Sequence, residues 1–425
     1  MTTTRAQLPT ATGRPKARVI VRTTCNTAVA LALLALANTG RATDWELSLD
    51  TRLVTSDASP SFMEGGLGTV RFDRNDSGLQ LGQARLALTQ PLGELWSAHL
   101  DVSAWDDLDR SPLGVTEAYL QFHPYPRAGY RFRLKAGAFY PPVSLENRDS
   151  GWRSPYTLSY SAIDSWLAVE VRTIGMEAQL DWLGTRTGHD FDLGLTGGVF
   201  GWNEGAGVVL ASDGFALTDR QTPVFGRVGQ LGTAPLYGAE PFLQLDGHAG
   251  VYAGVEARYL DRVVVRVLRY DNRADPTQMD NVSGAIAWNT RFDSAGLRIE
   301  GADGWTAILQ WLDGETSIAP AGMQLSWPFR AEFALLSRRF GRHSLSARYD
   351  RFEVDSSNSE ADGSQNGHAW TAAYAFDADA HWRFSVEWLR VLSSSYTRDD
   401  LGGPPLATET QLQLAIRYAI GSSIR

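Results

Sequence analysis

Past its first 42 residues the chain has no cysteine and a single lysine, Lys135. Disulfide frameworks and thiolate metal sites are therefore excluded from that region, even in an oxidising compartment. The one cysteine, Cys25, lies upstream of the apolar run Ala28–Ala37, so it is not the lipid-bearing cysteine that follows such a run in a lipoprotein. That run spans ten residues, short of the roughly 20 that a spanning helix needs. No second long apolar run follows, and the mean hydropathy is −0.22. Any membrane role must then be carried by strands, whose hydropathy signal per segment is weak. Basic charge is scarce too. Six of the 39 Lys and Arg fall in the first 42 residues, leaving 33 against 48 Asp and Glu and a formal net charge of −15. That balance argues against nucleic acid as a partner.

The opening is a different kind of sequence. Arg5, Arg14, Lys16, Arg18 and Arg22 precede the apolar run, and no acid occurs before Asp44. This is the layout of a secretory signal peptide. Cleavage fits after Ala37, where Ala35 and Ala37 give the A-x-A pattern, or after Ala42, where Gly40 and Ala42 give a looser one, the latter being preferred. Residues 1–42 are accordingly expected to be removed, leaving 43–425 as one domain.

Beyond Thr43 the dominant pattern has period two, in stretches of about ten residues closed by Gly, Pro, Asp or Asn. From Tyr130 to Tyr140 the apolar Tyr130, Phe132, Leu134, Ala136, Ala138 and Tyr140 alternate with Arg131, Arg133, Lys135 and Gly137. Near the C-terminus Leu412, Leu414, Ile416, Tyr418 and Ile420 alternate with Gln411, Gln413 and Arg417. Sixteen such stretches are expected: 45–55, 79–90, 95–106, 114–123, 130–140, 172–183, 189–201, 247–260, 262–271, 284–299, 304–312, 329–340, 342–354, 367–376, 381–393 and 408–420. Their connections alternate. The segments 56–78, 141–171, 202–246, 313–328 and 394–407 are long, whereas 91–94, 184–188, Asp261 and Gly341 make short turns.

An even number of long alternating strands, with short turns at one end and long loops at the other, predicts a transmembrane antiparallel up-and-down β-barrel with periplasmic turns and extracellular loops. The physical reason is that hydrocarbon leaves no backbone polar group a partner outside the protein, and only a closed sheet satisfies them all. Aromatics end the apolar faces beside the short turns, among them Trp96, Phe122, Tyr130, Trp182, Tyr259, Trp305, Phe340, Trp382 and Tyr418, as an interfacial girdle requires. A secreted β-sandwich would alternate as well, but with strands nearer five or six residues and no such belt. The terminal pattern departs from the usual one in a single respect: Tyr418 is followed by seven further residues instead of ending the chain.

The segment Lys135-Ala-Gly-Ala-Phe-Tyr-Pro-Pro-Val-Ser-Leu-Glu-Asn147 resembles the G-x-F-x-x-P-x-x-L-E stretch of the phosphate-selective porin O and P family, with Gly137, Phe139, Pro142, Leu145 and Glu146 matching. Arg172-Thr-Ile-Gly-Met-Glu177 is similar to that family's return into the next strand, and Tyr349-Asp-Arg-Phe352 to a late strand end in its relatives. The resemblance implies a trimeric, sixteen-stranded outer-membrane channel. With Lys135 as the only lysine past residue 42, the lysine cluster of a phosphate filter has no counterpart, and a small organic anion such as a dicarboxylate is a more natural passenger than a neutral sugar.

The loop 141–171 is expected to fold inward as a constriction, and 202–246 to be a long extracellular loop that caps the mouth or meets a neighbouring subunit. Alternation and loop position nominate Arg131, Arg133, Lys135, Glu146, Arg148, Arg153, Arg258, Arg330, Arg348 and Arg417 as pore-lining. Glu117, Glu177, Asp181, Glu256 and Glu387 face inward by the same rule, so selectivity depends on which charges line the narrowest point. A passive diffusion channel with modest anion preference is the expected function, in contact with outer-membrane lipid and lipopolysaccharide and without a cofactor. A plugged structural or adhesive barrel is the alternative; sixteen strands leave room for an aqueous lumen where about eight do not. A hydrolase is a weaker alternative, since no G-x-S-x-G elbow occurs. His189, Asp190 and Asp192 could suggest a metal, but they read more simply as a solvated turn beside an inward carboxylate.

Overall fold

The computed structural model describes residues 43–106, 111–229, 239–281, 283–357 and 364–422. The expected signal peptide at 1–42 lies outside the described residues. Among those described, sixteen strands form one closed antiparallel barrel in chain order. They are β1 (Asp44–Ser56), β2 (Gly78–Pro91), β3 (Trp96–Ala104), β4 (Leu113–Phe122), β5 (Tyr130–Phe139), β6 (Thr173–Trp182), β7 (Phe191–Gly201) and β8 (Gly250–Tyr259), then β9 (Val263–Asp271), β10 (Asn289–Glu300), β11 (Trp305–Ile318), β12 (Leu325–Phe340), β13 (His343–Val354), β14 (Gln365–Asp377), β15 (Trp382–Ser395) and β16 (Leu406–Gly421). The first strand closes on the last, with Leu49 opposite Tyr418 and Leu53 opposite Leu414. All sixteen expected stretches are strands, though β11 runs on to Ile318 and β10 starts only at Asn289.

Side-chain chemistry explains the ladders. Leu47, Leu49 and Leu53 of β1 and Leu412, Leu414 and Ile416 of β16 present one continuous exposed apolar surface, which only lipid can cover without cost. Short turns are tight. Tyr259 accepts the Arg262 N–H at 2.9 Å, and the two central residues, Leu260 and Asp261, have φ of 49° and 53°, the mirror-image turn that matches strand twist.

The wall is uneven. Strands β3–β9 have 9 to 11 residues, whereas β10–β16 have 12 to 16. The outward faces of β3–β8 end in Trp96, Phe122, Tyr130, Trp182, Phe191 and Tyr259 beside the short turns.

The lumen is occupied from the loop end. Three segments fold inside: 57–77, 140–172 and, among the described residues, 202–229 with 239–249. The second carries helix α1 (Ala162–Glu170), begun by Ser161, whose hydroxyl accepts the Asp164 N–H at 3.2 Å, and buried along its whole length. The third carries helix α2 (Val208–Asp213). Leu145, Ile163, Trp166, Leu210, Phe215 and Val70 from these segments form one core with inward Phe292, Leu312, Phe329, Phe333 and Phe352 of the wall. The Trp166 ring lies 5.3 Å from Phe292 and 5.0 Å from Phe329. Full burial of each such side chain contributes about 1.5–3 kcal/mol, enough to hold a loop against its ordering entropy only when several act together.

The part 202–229 of the third segment packs against the inner face of the wall. Its Phe215 N–H donates to Gln365 on the wall at 2.7 Å, and Leu217 bridges Val70 of the first segment.

Candidate functional site

The second inward segment, 140–172, is fixed by charge as well as by packing. Arg348, inward on β13 and wholly buried, donates from Nε to Asp350 at 2.8 Å and from Nη1 to Glu146 at 2.7 Å. Its remaining N–H groups reach Thr157 Oγ1 and the carbonyls of Ser159 and Tyr160 at 2.8–3.0 Å. Two further wall carboxylates cap loop amides: Glu387 accepts from Leu158 and Ser159, and Asp350 from Ala162. Behind Glu146, Asp164 receives the Ser144 hydroxyl at 2.7 Å, and burial together with the Glu146 charge pushes its carboxyl well above the usual range. Arg348 and Glu146 are thus buried anchors of the second inward segment.

The second and third segments are joined by Glu170 at the end of α1. Its carboxylate accepts N–H groups of Gly207, Val209 and Leu210 at 2.9–3.1 Å and the Trp166 indole at 2.8 Å, capping α2. Burial nevertheless raises it to about 7. The third segment is tied to the first through Asp219, which bridges Arg52 of β1 (2.6 Å) and Arg71 (2.9 Å). Burial alone would push Asp219 up, but the two guanidinium groups hold it at about 2.

Toward the short-turn end several inward cations keep partial exposure, and there most of the nominated cations gather. Arg131 and Arg133 of β5 pair with Asp181 of β6 at 2.8 and 3.0 Å; Lys135 pairs with Glu177 at 3.7 Å. Arg258 of β8 and Arg266 of β9 share Glu256, and Arg417 of β16 faces Asp50 at 3.6 Å. Arg148, from the constriction loop, reaches Glu300 at 2.7 Å. In the wall pairs the cation meets water and the acid does not: Arg131 is 31% exposed against 1% for Asp181, Lys135 29% against 5% for Glu177, and Arg258 26% against 10% for Glu256. Seven cations meet five acids there, and in these wall pairs the cation is the more exposed partner.

Two other nominated residues differ from expectation. Arg153 is mostly buried, donating to the Ser150 carbonyl, to Ser48 and to Glu46; burial and the neighbouring Arg417 and Arg85 lower it to about 10. Arg330 faces outward. Its neighbours Phe329 and Ala331 are buried inside, while Arg330 is 60% exposed and paired across strands with Asp313 at 2.8 Å. The rule that apolar faces meet lipid fails on β12 because the inward face is covered by α1, so both faces are apolar.

Sequence reasoning passed over Arg266, Arg298 and Arg383, which also reach the lumen, and the buried pair Arg85–Asp101. Arg266 lies in the run Val263-Val-Val-Arg-Val-Leu, apolar on both faces, where alternation assigns no side. Asp192 accepts the Thr185 N–H and hydroxyl at 2.9 and 2.8 Å, as a turn carboxylate does, and no group of three or more metal-ligating side chains occurs among the described residues.

No protein-family model matches the sequence, and no curated protein matches it. Solved structures match the architecture. One is a loop-deletion form of OmpT, an outer membrane protein of Vibrio cholerae, with 10% identity over 89% of this chain and 99% of that one, at a TM-score of 0.51. The fold is that of these outer-membrane barrels. Like it are the outer membrane channel DcaP of Acinetobacter baumannii (11% identity, 89% and 96% covered, TM-score 0.51) and Salmonella typhi OmpF (9%, 89% and 97%, 0.51). At such identities the likeness is one of fold. The barrel gives the residues of the Lys135–Asn147 stretch their places. Gly137 has a φ of 139°, and a Cβ there would lie 2.2 Å from the Ala118 carbonyl; Phe139 and Leu145 are buried; Glu146 receives Arg348.

Proposed function

We propose that this is a porin of the bacterial outer membrane, a passive channel for small hydrophilic solutes with a preference for anions. The observation that carries the preference is the arrangement of the vestibule pairs, cations toward water and carboxylates against the wall. Selectivity responds to the field along the solute's path, and a buried, paired carboxylate contributes less of it than an exposed guanidinium. The negative net charge of the chain does not oppose this, since charges beyond about 8–10 Å are screened at physiological salt. Small organic anions such as dicarboxylates suit the mixture of separated arginines and one lysine; the likeness to the phosphate-selective porin O and P family rests on its short motifs, and phosphate is the second candidate. We further propose a homotrimer, supported by the low wall β3–β8, whose outward faces are apolar throughout.

Reversal potentials in a planar bilayer under a salt gradient test the channel reading. Anion selectivity is expected, shifting toward cations in Arg133→Gln/Lys135→Gln/Arg148→Gln. A cation-selective parent channel, or selectivity indifferent to that triple change, would refute the assignment. A monomeric mass in mild detergent would remove the trimer and leave the channel standing.

A further inference from the structure

On the inner face of β4–β6, Gln121, Lys135 and Glu177 stand in one row across three adjacent strands, and Arg133 opposite Gln179 forms the next row toward the turns. These five side chains line a recess of about 60 Å³. The Lys135 ammonium lies 3.7 Å from Glu177 Oε1, beyond hydrogen-bond range. It rests 5.3 and 5.2 Å from the Tyr119 and Phe139 ring centroids, which hold it without engaging its N–H groups.

Glu177 is aimed from behind. The Tyr252 hydroxyl donates to its Oε2 at 2.8 Å, crossing Gly198, where any Cβ would collide with the tyrosine ring. Among the described residues Glu177 Oε1 accepts no hydrogen bond, and the Gln121 amide makes none. Gln179 gives its Nε2 to Asp181 at 3.0 Å and leaves its Oε1 unbonded. Unused donors and unused acceptors therefore stand side by side. Charge does not balance around them: Arg131, Arg133 and Lys135 meet only Asp181 and Glu177, a surplus of one cation.

We infer that the recess receives the head of an α-amino acid with an acidic side chain. A simple carboxylate would meet Lys135 but set its charge beside Glu177 and leave two acceptors without donors, which is costly once water is displaced. A zwitterionic head gives each member of the loose Lys135–Glu177 pair a closer partner: its carboxylate takes the Lys135 ammonium and the Gln121 N–H, and its ammonium donates to Glu177 Oε1 and Gln179 Oε1. The side-chain carboxylate then answers the surplus cation, since Arg131 and Arg133 share the single acid Asp181. A recess of this size takes the head alone, so the rest of the solute lies in the lumen, where those arginines are. The inference deepens the channel reading by naming a class of solute, and rests on it for the solute's access to the lumen.

Ligand-observed NMR titration of the detergent-solubilised full chain near neutral pH tests it, with L-glutamate against glutarate, which keeps the carbon chain and both carboxylates but lacks the ammonium. The parent is expected to bind glutamate roughly tenfold more tightly, the size of one charge-assisted hydrogen bond. Glu177→Gln, which can still accept from Tyr252, should lose that advantage while binding glutarate as well as the parent does, or better. Gln121→Leu should weaken glutamate binding and keep the heat-dependent gel shift of a closed barrel. A parent that binds the two solutes alike, or prefers glutarate, overturns the inference. So does a folded Glu177→Gln that keeps the preference or weakens both solutes equally, or a folded Gln121→Leu with undiminished glutamate binding. Should a variant fail to close, the parent's preference between the two solutes still decides. No conductance enters the measurement: a cation-selective channel removes the anion preference and leaves the recess standing, whereas equal binding removes the recess and leaves the channel.

Discussion

Replacing Arg348 by methionine removes a buried cation while leaving a side chain of comparable length. Glu146, Asp350 and Glu387 then remain inside with no compensating charge, and six donated hydrogen bonds are lost. Breaking a buried pair by deleting one partner costs about 3–5 kcal/mol. At 1.4 kcal/mol per tenfold, the seated constriction loop should lose at least about two orders of magnitude in its population relative to the released loop. The barrel itself should persist, because its ladders do not pass through Arg348. Trypsin reports the difference: Arg153 is buried in the seated loop and becomes a cleavage site when the loop is free. Faster cleavage within 141–171, with a larger and noisier single-channel conductance and an unchanged heat shift on a gel, is the expected result. Combining the change with Glu146→Gln should restore part of the protection, since the orphaned charge is then gone. Equal trypsin resistance and equal conductance in Arg348→Met would refute the anchoring role, as would a double variant worse than the sum of the single ones.

Three further outcomes are expected. Gly207 has a φ of 100°, and a Cβ there would lie 2.1 Å from Thr316 Oγ1, so Gly207→Val should unseat the third inward segment at a cost of roughly 1–3 kcal/mol, read as accelerated proteolysis near 202–229. Glu170, raised from 4.5 to about 7, binds its proton more tightly folded than unfolded; its contribution to loop stability is greatest at low pH and falls by about 3 kcal/mol as pH climbs from 4.5 through 7, a dependence that Glu170→Gln should abolish in proteolysis profiles. Asp219 is the opposite case: held at about 2, it stabilises above its ordinary value of 3.8 and loses that contribution, about 2 kcal/mol, as pH falls toward 2, so Asp219→Asn should loosen the junction of the first and third segments at neutral pH and be nearly silent in strong acid.

The barrel was legible in the sequence because lipid imposes a strict rule on one face of every strand. Tyr130 to Phe139 and Leu412 to Tyr418 obey it residue by residue, and both are strands at the expected positions. The rule weakens where protein fills the lumen. Phe329, Phe333 and Leu335 are inward because Trp166 and its helix lie against that part of the wall, and nothing local to β12 announces a partner 160 or more positions earlier. Arg330 was consequently assigned to the wrong side. The same long-range pairing decided which arginines meet water: Arg131 and Arg348 look alike in sequence, alternating with apolar neighbours, but one faces the vestibule and the other a buried glutamate from a loop 202 residues away. The third inward segment was hidden for another reason, since its glycines suggest an exposed loop, whereas Gly207 serves a close approach to Thr316.

The first inward segment is held by the end of the chain. Thr69 gives its N–H to Glu409 at 2.7 Å and its hydroxyl to the same carboxylate, the Ser59 N–H reaches Glu409 at 3.1 Å, and the Phe72 N–H reaches Gln411 at 3.1 Å. Both acceptors belong to β16, the strand that completes the circle with β1. A segment encoded near the start thus takes its seat on the strand that completes the circle, so its place inside depends on the closed ring.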